Sequence, residues 1–130
     1  AKIFKKMTFI SKLQDARKLN LPGRLSRELI GSKDPSEKVS LRYVVINPSK
    51  PITNKRKPHF HPNCEECIYV LSGHGLTHSG GHTYKIQAGD TILISKGEHH
   101  YTENIGTNDL KLICFFPEKN VELIESENST

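Results

Sequence analysis

Four side chains of the types that bind a divalent metal ion stand out in this sequence: His59, His61, Glu66 and His100. His59 and His61 form a His-x-His pair between Pro58 and Pro62. Because a proline disfavours helical backbone in the residue before it, we expect an extended segment here. Residues two apart in a strand share a face, so both imidazole rings point to one centre while Phe60 points to the opposite side.

The carboxylate of the pattern is assigned by the alternation of the strand that we predict over residues 66–71. If Ile68 and Val70 face the interior, Glu66 faces it as well, because residues two apart share a face. Glu65 then belongs to the preceding turn. A carboxylate buried beside imidazoles costs free energy unless a partner neutralises it, and a divalent cation satisfies all these groups at once.

The fourth side chain lies in a second cluster, His99-His100, on a strand predicted over residues 99–103. His100 shares a face with Thr102 and Asn104, which places His100 inside and His99 outside. A His-x-His pair alone also fits two surface histidines or two hydrogen-bonded core histidines. The second cluster is the reason for preferring a metal site.

The spacing of these residues resembles the two sequence motifs of the cupin superfamily. The first has the form H-x-H, three or four residues, E, six residues, G, and fits from His59 to Gly73. The second has the form G, five residues, P-x-G, two residues, H, three residues, N, and fits from Gly89 to Asn104 except that Ser95 replaces the proline. A proline side chain has no metal-binding atom, so this departure leaves the ligand set intact.

The resemblance covers about residues 39–116 and implies an all-β jelly-roll barrel, the double-stranded β-helix of the cupins. It also implies one divalent transition metal ion held by the three histidines and Glu66. A mixed set of three nitrogens and one oxygen does not choose among Fe, Mn, Ni, Zn and Cu. A six-coordinate ion would keep about two positions open to water, substrate or O₂. The resemblance further implies a homodimer.

The elements that must position these residues are short strands separated by Gly, Pro, Asn and Ser, a pattern typical of antiparallel all-β domains. Gly80-Gly81 predicts a tight hairpin over residues 75–87, because glycine adopts the positive φ angles of such a turn. His78 and His82 flank this turn; polar decoration of the hairpin is the preferred interpretation, with a second metal site as the alternative. The predicted strands are 25–30, 39–46, 58–61, 66–71, 75–79, 82–87, 91–94, 99–103 and 109–116.

A short N-terminal helix is predicted over residues 11–19, with Ser11 as N-cap and Gln14 as its capping-box partner. At 130 residues the chain fits one domain. We expect that single domain, residues 1–130, to comprise an N-terminal arm over residues 1–38, a core barrel over about 39–116 and a frayed tail over 125–130.

The amino-acid composition of the chain limits the classes of protein to which it can belong. The chain is 35% hydrophobic and 25% charged, and no apolar run approaches the roughly 20 residues of a membrane span. No apolar segment that could serve a secretory signal follows the basic N-terminus, so we expect a cytoplasmic protein with no membrane partner. Three cysteines are too few for a disulfide scaffold. In extended chain the Cα atoms of Cys64 and Cys67 would lie roughly 10 Å apart, too far for a disulfide.

Charge is distributed unevenly along the chain. Residues 1–57 hold 15 Lys and Arg against 4 Asp and Glu, whereas residues 58–130 hold 4 against 10. The densest basic run is Lys55-Arg56-Lys57. No aromatic residues are interleaved with it to stack on bases, so a solvated loop is the preferred interpretation and we do not expect nucleic acid as a partner.

These observations predict a metal-dependent enzyme that acts on a small anionic or oxygen-rich organic molecule. The reaction would be a dioxygenation, or an isomerisation or elimination in which the metal is a Lewis acid. Arg42 and Lys57 are candidates to orient a carboxylate or phosphate. No catalytic acid, base or nucleophile is assigned. The alternative is a non-catalytic, metal-containing module that binds a small molecule.

Overall fold

The structure is a computed structural model that describes residues 8–48 and 57–127. Short strands dominate this part of the chain, as the sequence predicted. The strands are β1 (Arg17–Leu19), β2 (Leu25–Ile30), β3 (Ser40–Ile46), β4 (His59–Phe60), β5 (Glu66–Ser72), β6 (His74–Ser79), β7 (His82–Gln87), β8 (Thr91–Ile94), β9 (His100–Asn104), β10 (Leu110–Phe116) and β11 (Ile124–Glu125).

The strands form two antiparallel sheets. The first has six strands in the order β1-β2-β3-β10-β5-β8, and the second has five in the order β11-β4-β9-β6-β7. Neighbours in a sheet are mostly distant in sequence, as in the pairing of β10 with β3 and β5. This two-sheet arrangement is the all-β jelly roll that the cupin motifs implied.

The inner face of the six-stranded sheet supplies most of the core. On β5, Glu66, Ile68 and Val70 are buried and alternate with exposed residues, which is the alternation used to assign Glu66. On β10 the buried side chains include Leu110 and Phe116, both at most 1% exposed. Each fully buried aliphatic or aromatic side chain contributes about 1.5–3 kcal/mol, so this face holds the barrel together around the site.

The hairpin predicted at Gly80-Gly81 is confirmed. β6 and β7 pair up to Ser79 opposite His82, and the two glycines have φ angles of 57° and 81°. Positive φ at both central residues defines a type I′ turn, whose twist matches that of the flanking strands. His78 does not face His82; its ring nitrogens lie 3.0 Å from Thr83 Oγ1 and 3.0 Å from Glu103 Oε1.

The helix predicted over residues 11–19 is wrong. Only Leu13–Asp15 form a single 3-10 turn, which Lys12 precedes without a side-chain cap. The chain then extends as β1, in which Arg17 donates to Glu28 Oε1 at 2.8 Å. A nine-residue helix is marginal in water by itself, and pairing with β2 satisfies the same backbone groups. The described residues contain no helix with the length and apolar character needed to cross a bilayer.

The tail predicted to fray from residue 125 is ordered at its start. Ile124–Glu125 pair with β4, and the Ser126 amide donates to the Pro58 carbonyl at 2.8 Å. This short strand was missed because two residues carry no periodic signal. The described residues end at 127, and the loop over 47–51 and the basic run 55–57 also lie partly outside them.

Candidate metal centre

Adjacent strands bring the three histidines together. His59 on β4 lies directly opposite His100 on β9, and His61 follows two residues later on the same side as His59. Glu66 enters from β5, in the other sheet, at the start of its buried face. Residues about forty positions apart therefore meet because the two sheets pack face to face.

The ligand-type atoms of these four residues all lie within 4.8 Å of one another. Glu66 Oε1 lies 3.1 Å from His100 Nε2 and 3.3 Å from His61 Nε2. All four side chains are buried, with exposed fractions of 8% or less. Within residues 8–48 and 57–127 this is the one group of three or more such side chains close enough to share an ion.

Backbone carbonyls fix the orientation of two imidazoles. His61 Nδ1 lies 2.9 Å from the Glu122 carbonyl, and His100 Nδ1 lies 2.8 Å from the Glu98 carbonyl. A carbonyl oxygen only accepts, so both Nδ1 atoms carry the proton. Each Nε2 therefore faces Glu66 and the site either with a second proton or with a lone pair. Such hydrogen bonds orient metal-binding histidines in many proteins.

The donor set fits a divalent transition metal ion. His61 Nε2 is buried and has no hydrogen-bond partner among the described residues. Burial, and then the neighbouring charge of His100, lower the pKa of His59 to about 2, so this ring stays neutral and offers a lone pair. Burial alone would raise the pKa of Glu66, but its hydrogen bond to His100 and the closeness of His61 Nε2, 3.3 Å from Oε1, outweigh burial and hold the pKa below its usual range. One carboxylate and three imidazoles suit such an ion.

The neighbours of these residues point outward, as the alternation predicted. His99 is exposed, and its ring stacks on Phe60 with centroids 4.4 Å apart. Glu65 is exposed in the turn before β5. Glu66 and His100 are thus buried and Glu65 and His99 exposed, as the alternation predicted; their role as metal ligands stays a prediction.

A cavity adjoins the four side chains. Its volume is about 40 Å³, counted as the space open to the centre of a water molecule. A single water needs roughly 10–15 Å³ by this measure, so the cavity accommodates a few waters or a small ligand. Its lining residues outside the candidate ligands include Arg24, Ser26, Arg42, Ile68, Thr102, Leu112, Cys114 and Phe116.

The lining residues that were not singled out from the sequence include Arg24, Cys114 and Phe116. Cys114 and Phe116 lie on the buried face of β10, where the alternation of the strand is a signal that could have found them. Burial raises the pKa of the Cys114 thiol well above its ordinary value, and the negative charge of Glu66 adds to that effect. Cys114 is therefore a neutral thiol in the wall of the cavity.

A family model described as a cupin domain matches residues 43–116. The chain belongs to the cupin superfamily. This cupin is 32% identical over 92 residues to the uncharacterized protein MJ1618 of Methanocaldococcus jannaschii, a match that spans 71% of each chain. It is 33% identical over 67 residues to oxalate oxidase GF-3.8 of Triticum aestivum and 38% identical over 66 residues to oxalate decarboxylase OxdC of Bacillus subtilis.

Solved structures have the same fold. An oxalate decarboxylase of Lactobacillus farciminis, solved as a formate complex, superimposes with a TM-score of 0.72 at 27% identity over 86% of this chain. This cupin spans only 34% of that chain, 30% of the wheat oxidase and 17% of OxdC. The likeness to the oxalate enzymes therefore concerns one cupin barrel within longer proteins.

Proposed function

We propose that this cupin is a metal-dependent enzyme that holds one divalent ion with His59, His61, Glu66 and His100 and acts on a small anionic or oxygen-rich organic molecule. The observation that supports the proposal is the buried Nε2 of His61. This atom has no hydrogen-bond partner in the described part of the chain and lies 3.3 Å from the Glu66 carboxylate. A shared cation explains why a lone pair and a carboxylate are buried together.

At such a centre, some residues of the chain would orient the metal ligands and others would exclude water. The carbonyls of Glu122 and Glu98 hold the His61 and His100 rings in place through Nδ1. Apolar side chains of the cavity wall, such as Leu112 and Phe116, exclude bulk water. When bound, a divalent ion supplies Lewis acidity and coordination positions not taken by protein.

The relatives support a small organic acid as the substrate. The wheat relative is an oxalate oxidase and the Bacillus subtilis relative an oxalate decarboxylase, and both match about half of this chain. A cavity that accommodates only a few waters also favours a small molecule. Among organic acids we propose oxalate and its short homologues as the first substrates to test.

The thiols support a reducing compartment. Cys64, Cys67 and Cys114 form no disulfide. Cys64 and Cys114 are also buried, which shields their thiols from disulfide exchange. Disulfides persist in oxidising compartments and are rare in the cytosol. We propose a cytoplasmic location on this ground.

A homodimer is part of the proposal, and the outer face of the six-stranded sheet supports it. Tyr69, Leu71, Leu93 and Phe115 are between 39% and 61% exposed on this face. Strand pairing makes the patch continuous, because Cys67 pairs with both Leu93 and Phe115. Contiguous exposed apolar surface of this kind marks a binding face, and a twofold axis would let two copies of it cover each other.

Metal analysis tests the ligand assignment. We expect about one equivalent of a transition metal per chain in the purified protein, and at least tenfold less in His61→Ala and Glu66→Ala, because each substitution removes a ligand atom. His99→Ala is the matched control: it removes the outward histidine beside His100 and should leave metal content unchanged. Equal metal content in all four proteins would contradict the proposal.

Turnover assays separate an enzyme from a binding module. The metal-loaded protein is incubated with oxalate, malonate and 2-oxo acids while O₂ consumption and CO₂ release are recorded. O₂ uptake that His61→Ala abolishes would indicate an oxidase or oxygenase, and CO₂ release without O₂ uptake a Lewis-acid decarboxylase. Binding of a ligand without turnover of any of these acids would favour the non-catalytic module.

A further inference from the structure

Two arginines line the same cavity as the candidate ligands. Arg42 lies on β3 between the buried residues Ser40 and Val44, and the alternation of the strand turns its side chain inward. Arg24 immediately precedes β2 and reaches the cavity from the neighbouring strand. Both come from the N-terminal part of the chain, in which the excess of basic residues lies.

Among residues 8–48 and 57–127, no carboxylate forms an ion pair with Arg42. Its guanidinium carbon lies 4.7 Å from the centre of the Phe116 ring, and its Nε is buried without a hydrogen-bond partner among the described residues. The acidic residue paired with Arg42 in the sheet is Glu28, directly opposite it on β2. Glu28 Oε1 is already bound by Arg17 at 2.8 Å. A cation–π contact alone leaves most of the hydrogen-bonding capacity of the guanidinium unused.

Arg24 likewise forms no ion pair within the part of the chain that the structure describes. Its Nη1 donates to the Pro22 carbonyl at 2.9 Å, and no carboxylate of the described residues lies within 4.0 Å of it. Burial lowers the pKa of its guanidinium; the charge of Arg42 acts in the same direction, while Glu66 opposes it. Two guanidinium ions and one carboxylate, Glu66, line the same cavity, which leaves an excess of positive charge that an anionic ligand would offset.

The arginines lie close enough to the candidate metal centre to share a short ligand with it. Phe116 contacts both Arg42 and His61: the guanidinium carbon lies 4.7 Å from the centre of its ring, and the centre of the His61 ring lies 5.0 Å from it in an edge contact. These separations place the guanidinium carbon no more than about 10 Å from the His61 ring. A divalent ion would bring more positive charge than Glu66 neutralises, which strengthens the attraction for an anion.

We propose that Arg42 and Arg24 bind the carboxylate of a short organic acid whose second oxygen-bearing group reaches the metal. The ligand class is thereby narrowed to dicarboxylates and 2-oxo acids of a few carbon atoms. A guanidinium matches a carboxylate through two parallel hydrogen bonds, whereas an uncharged ligand would leave both cations uncompensated. This inference rests on the proposed metal-dependent function and adds the residues that select the substrate.

Calorimetric titration of the metal-loaded protein tests the inference without relying on activity. We expect malonate or oxalate to bind and malonamide, which has the same shape without charge, not to bind. Arg42→Gln and Arg24→Gln should each weaken dicarboxylate binding by about 10- to 100-fold, because each removes charge-assisted hydrogen bonds. The metal content of both variants should equal that of the wild type.

Arg27→Gln is the matched control, because Arg27 lies on β2 with its side chain on the opposite face and donates to the Ala16 carbonyl. It should bind dicarboxylates as the wild type does. If Arg42→Gln does not fold, Arg24→Gln decides, since Arg24 is only partly buried and lies outside the strand. Wild-type affinity in the folded arginine variants would overturn the inference, as would tighter binding of inorganic phosphate than of any dicarboxylate.

Metal analysis of the same samples keeps the two proposals apart. Wild-type protein that binds a full equivalent of metal but no dicarboxylate would overturn the role of the arginines and leave the metal site intact. Protein that binds no metal would contradict the proposed function itself.

Discussion

At the scale of single residues, burial decides which reactive groups are available. Cys64 and Cys114 are each 5% exposed, whereas Cys67, three residues after Cys64, is exposed on the outer face of β5. Burial raises the pKa of both inner thiols, and nearby carboxylates add to the effect. Because the thiolate is the nucleophile, the thiols of Cys64 and Cys114 are protected from modification in two ways: reagents cannot reach them, and they stay protonated.

Thiol modification of the native protein should therefore show two kinetic classes. At pH 8, and at a chain concentration low enough to keep the protein monomeric, we expect Cys67 to react with iodoacetamide at least about tenfold faster than Cys64 and Cys114, because the inner thiols stay protonated and covered. Mass spectrometry of alkylated peptides identifies the sites. Cys67→Ser should remove the fast phase, and equal rates at all three sites in the folded protein would contradict the burial described above.

At the scale of elements, hydrogen bonds of the Asn104 side chain connect the end of β9 to β3 and to the loop that follows β9. It is 2% exposed, and its Nδ2 donates to the Ile46 and Asn108 carbonyls, both at 2.8 Å. Its Oδ1 accepts from the Gly106 amide at 2.8 Å. This is the asparagine that closes the second cupin motif, and in this structure it connects the strand that carries His100 to β3 and to the loop that follows.

Replacing this side chain should destabilise the protein rather than remove a ligand. Asn104→Ala leaves two carbonyls and one amide without their partner, so we expect the free energy of unfolding to fall by about 2–4 kcal/mol. Urea denaturation followed by circular dichroism measures the change. Asn108→Ala, at an exposed position in the same loop, should stay within about 0.5 kcal/mol of the wild type. Equal midpoints for the two variants would refute the role given to Asn104.

At the scale of the whole molecule, the two sheets present different outer faces. The face of the six-stranded sheet is apolar around Tyr69, with Ile113 and Thr91 directly beside it on the neighbouring strands. The five-stranded sheet instead carries polar pairs such as His78 with Glu103, 3.0 Å apart, and the ring of His78 stacks on Tyr101. The first face is the one expected to be covered in solution.

Sedimentation velocity tests the proposed homodimer. We expect a dimer at tens of micromolar chain, and at least tenfold weaker association for Tyr69→Glu, because a charge placed in an apolar contact must be desolvated. Tyr84→Glu is the control: this tyrosine is 53% exposed on β7, in the other sheet. A monomeric wild type, or a Tyr69→Glu protein that dimerises as tightly as Tyr84→Glu, would rule out this interface.

Much of the strand pattern and the face on which each of the four side chains lies could be read from local sequence, whereas their convergence on one ion was implied by the resemblance to the cupin motifs. Alternation within one strand is enough to turn Glu66 inward and Glu65 outward, and the same reasoning separates His100 from His99. The tight hairpin follows from two glycines that tolerate positive φ. The sequence alone thus determined the all-β class, the ligand types and the faces on which they lie; occupancy by a metal stays a prediction.

Only the tertiary structure decided the features that depend on distant partners. Arg17–Leu19 became a strand because β2 was beside it, although the local pattern favoured a helix. The carbonyl that orients His61 belongs to Glu122, 61 residues further along the chain. Arg24 and Arg42 share one cavity because β2, which Arg24 immediately precedes, lies next to β3 in the sheet. Local alternation fixes a side chain's face, but its neighbours depend on which strands pair, and that is set by burial and hydrogen bonding over the whole barrel.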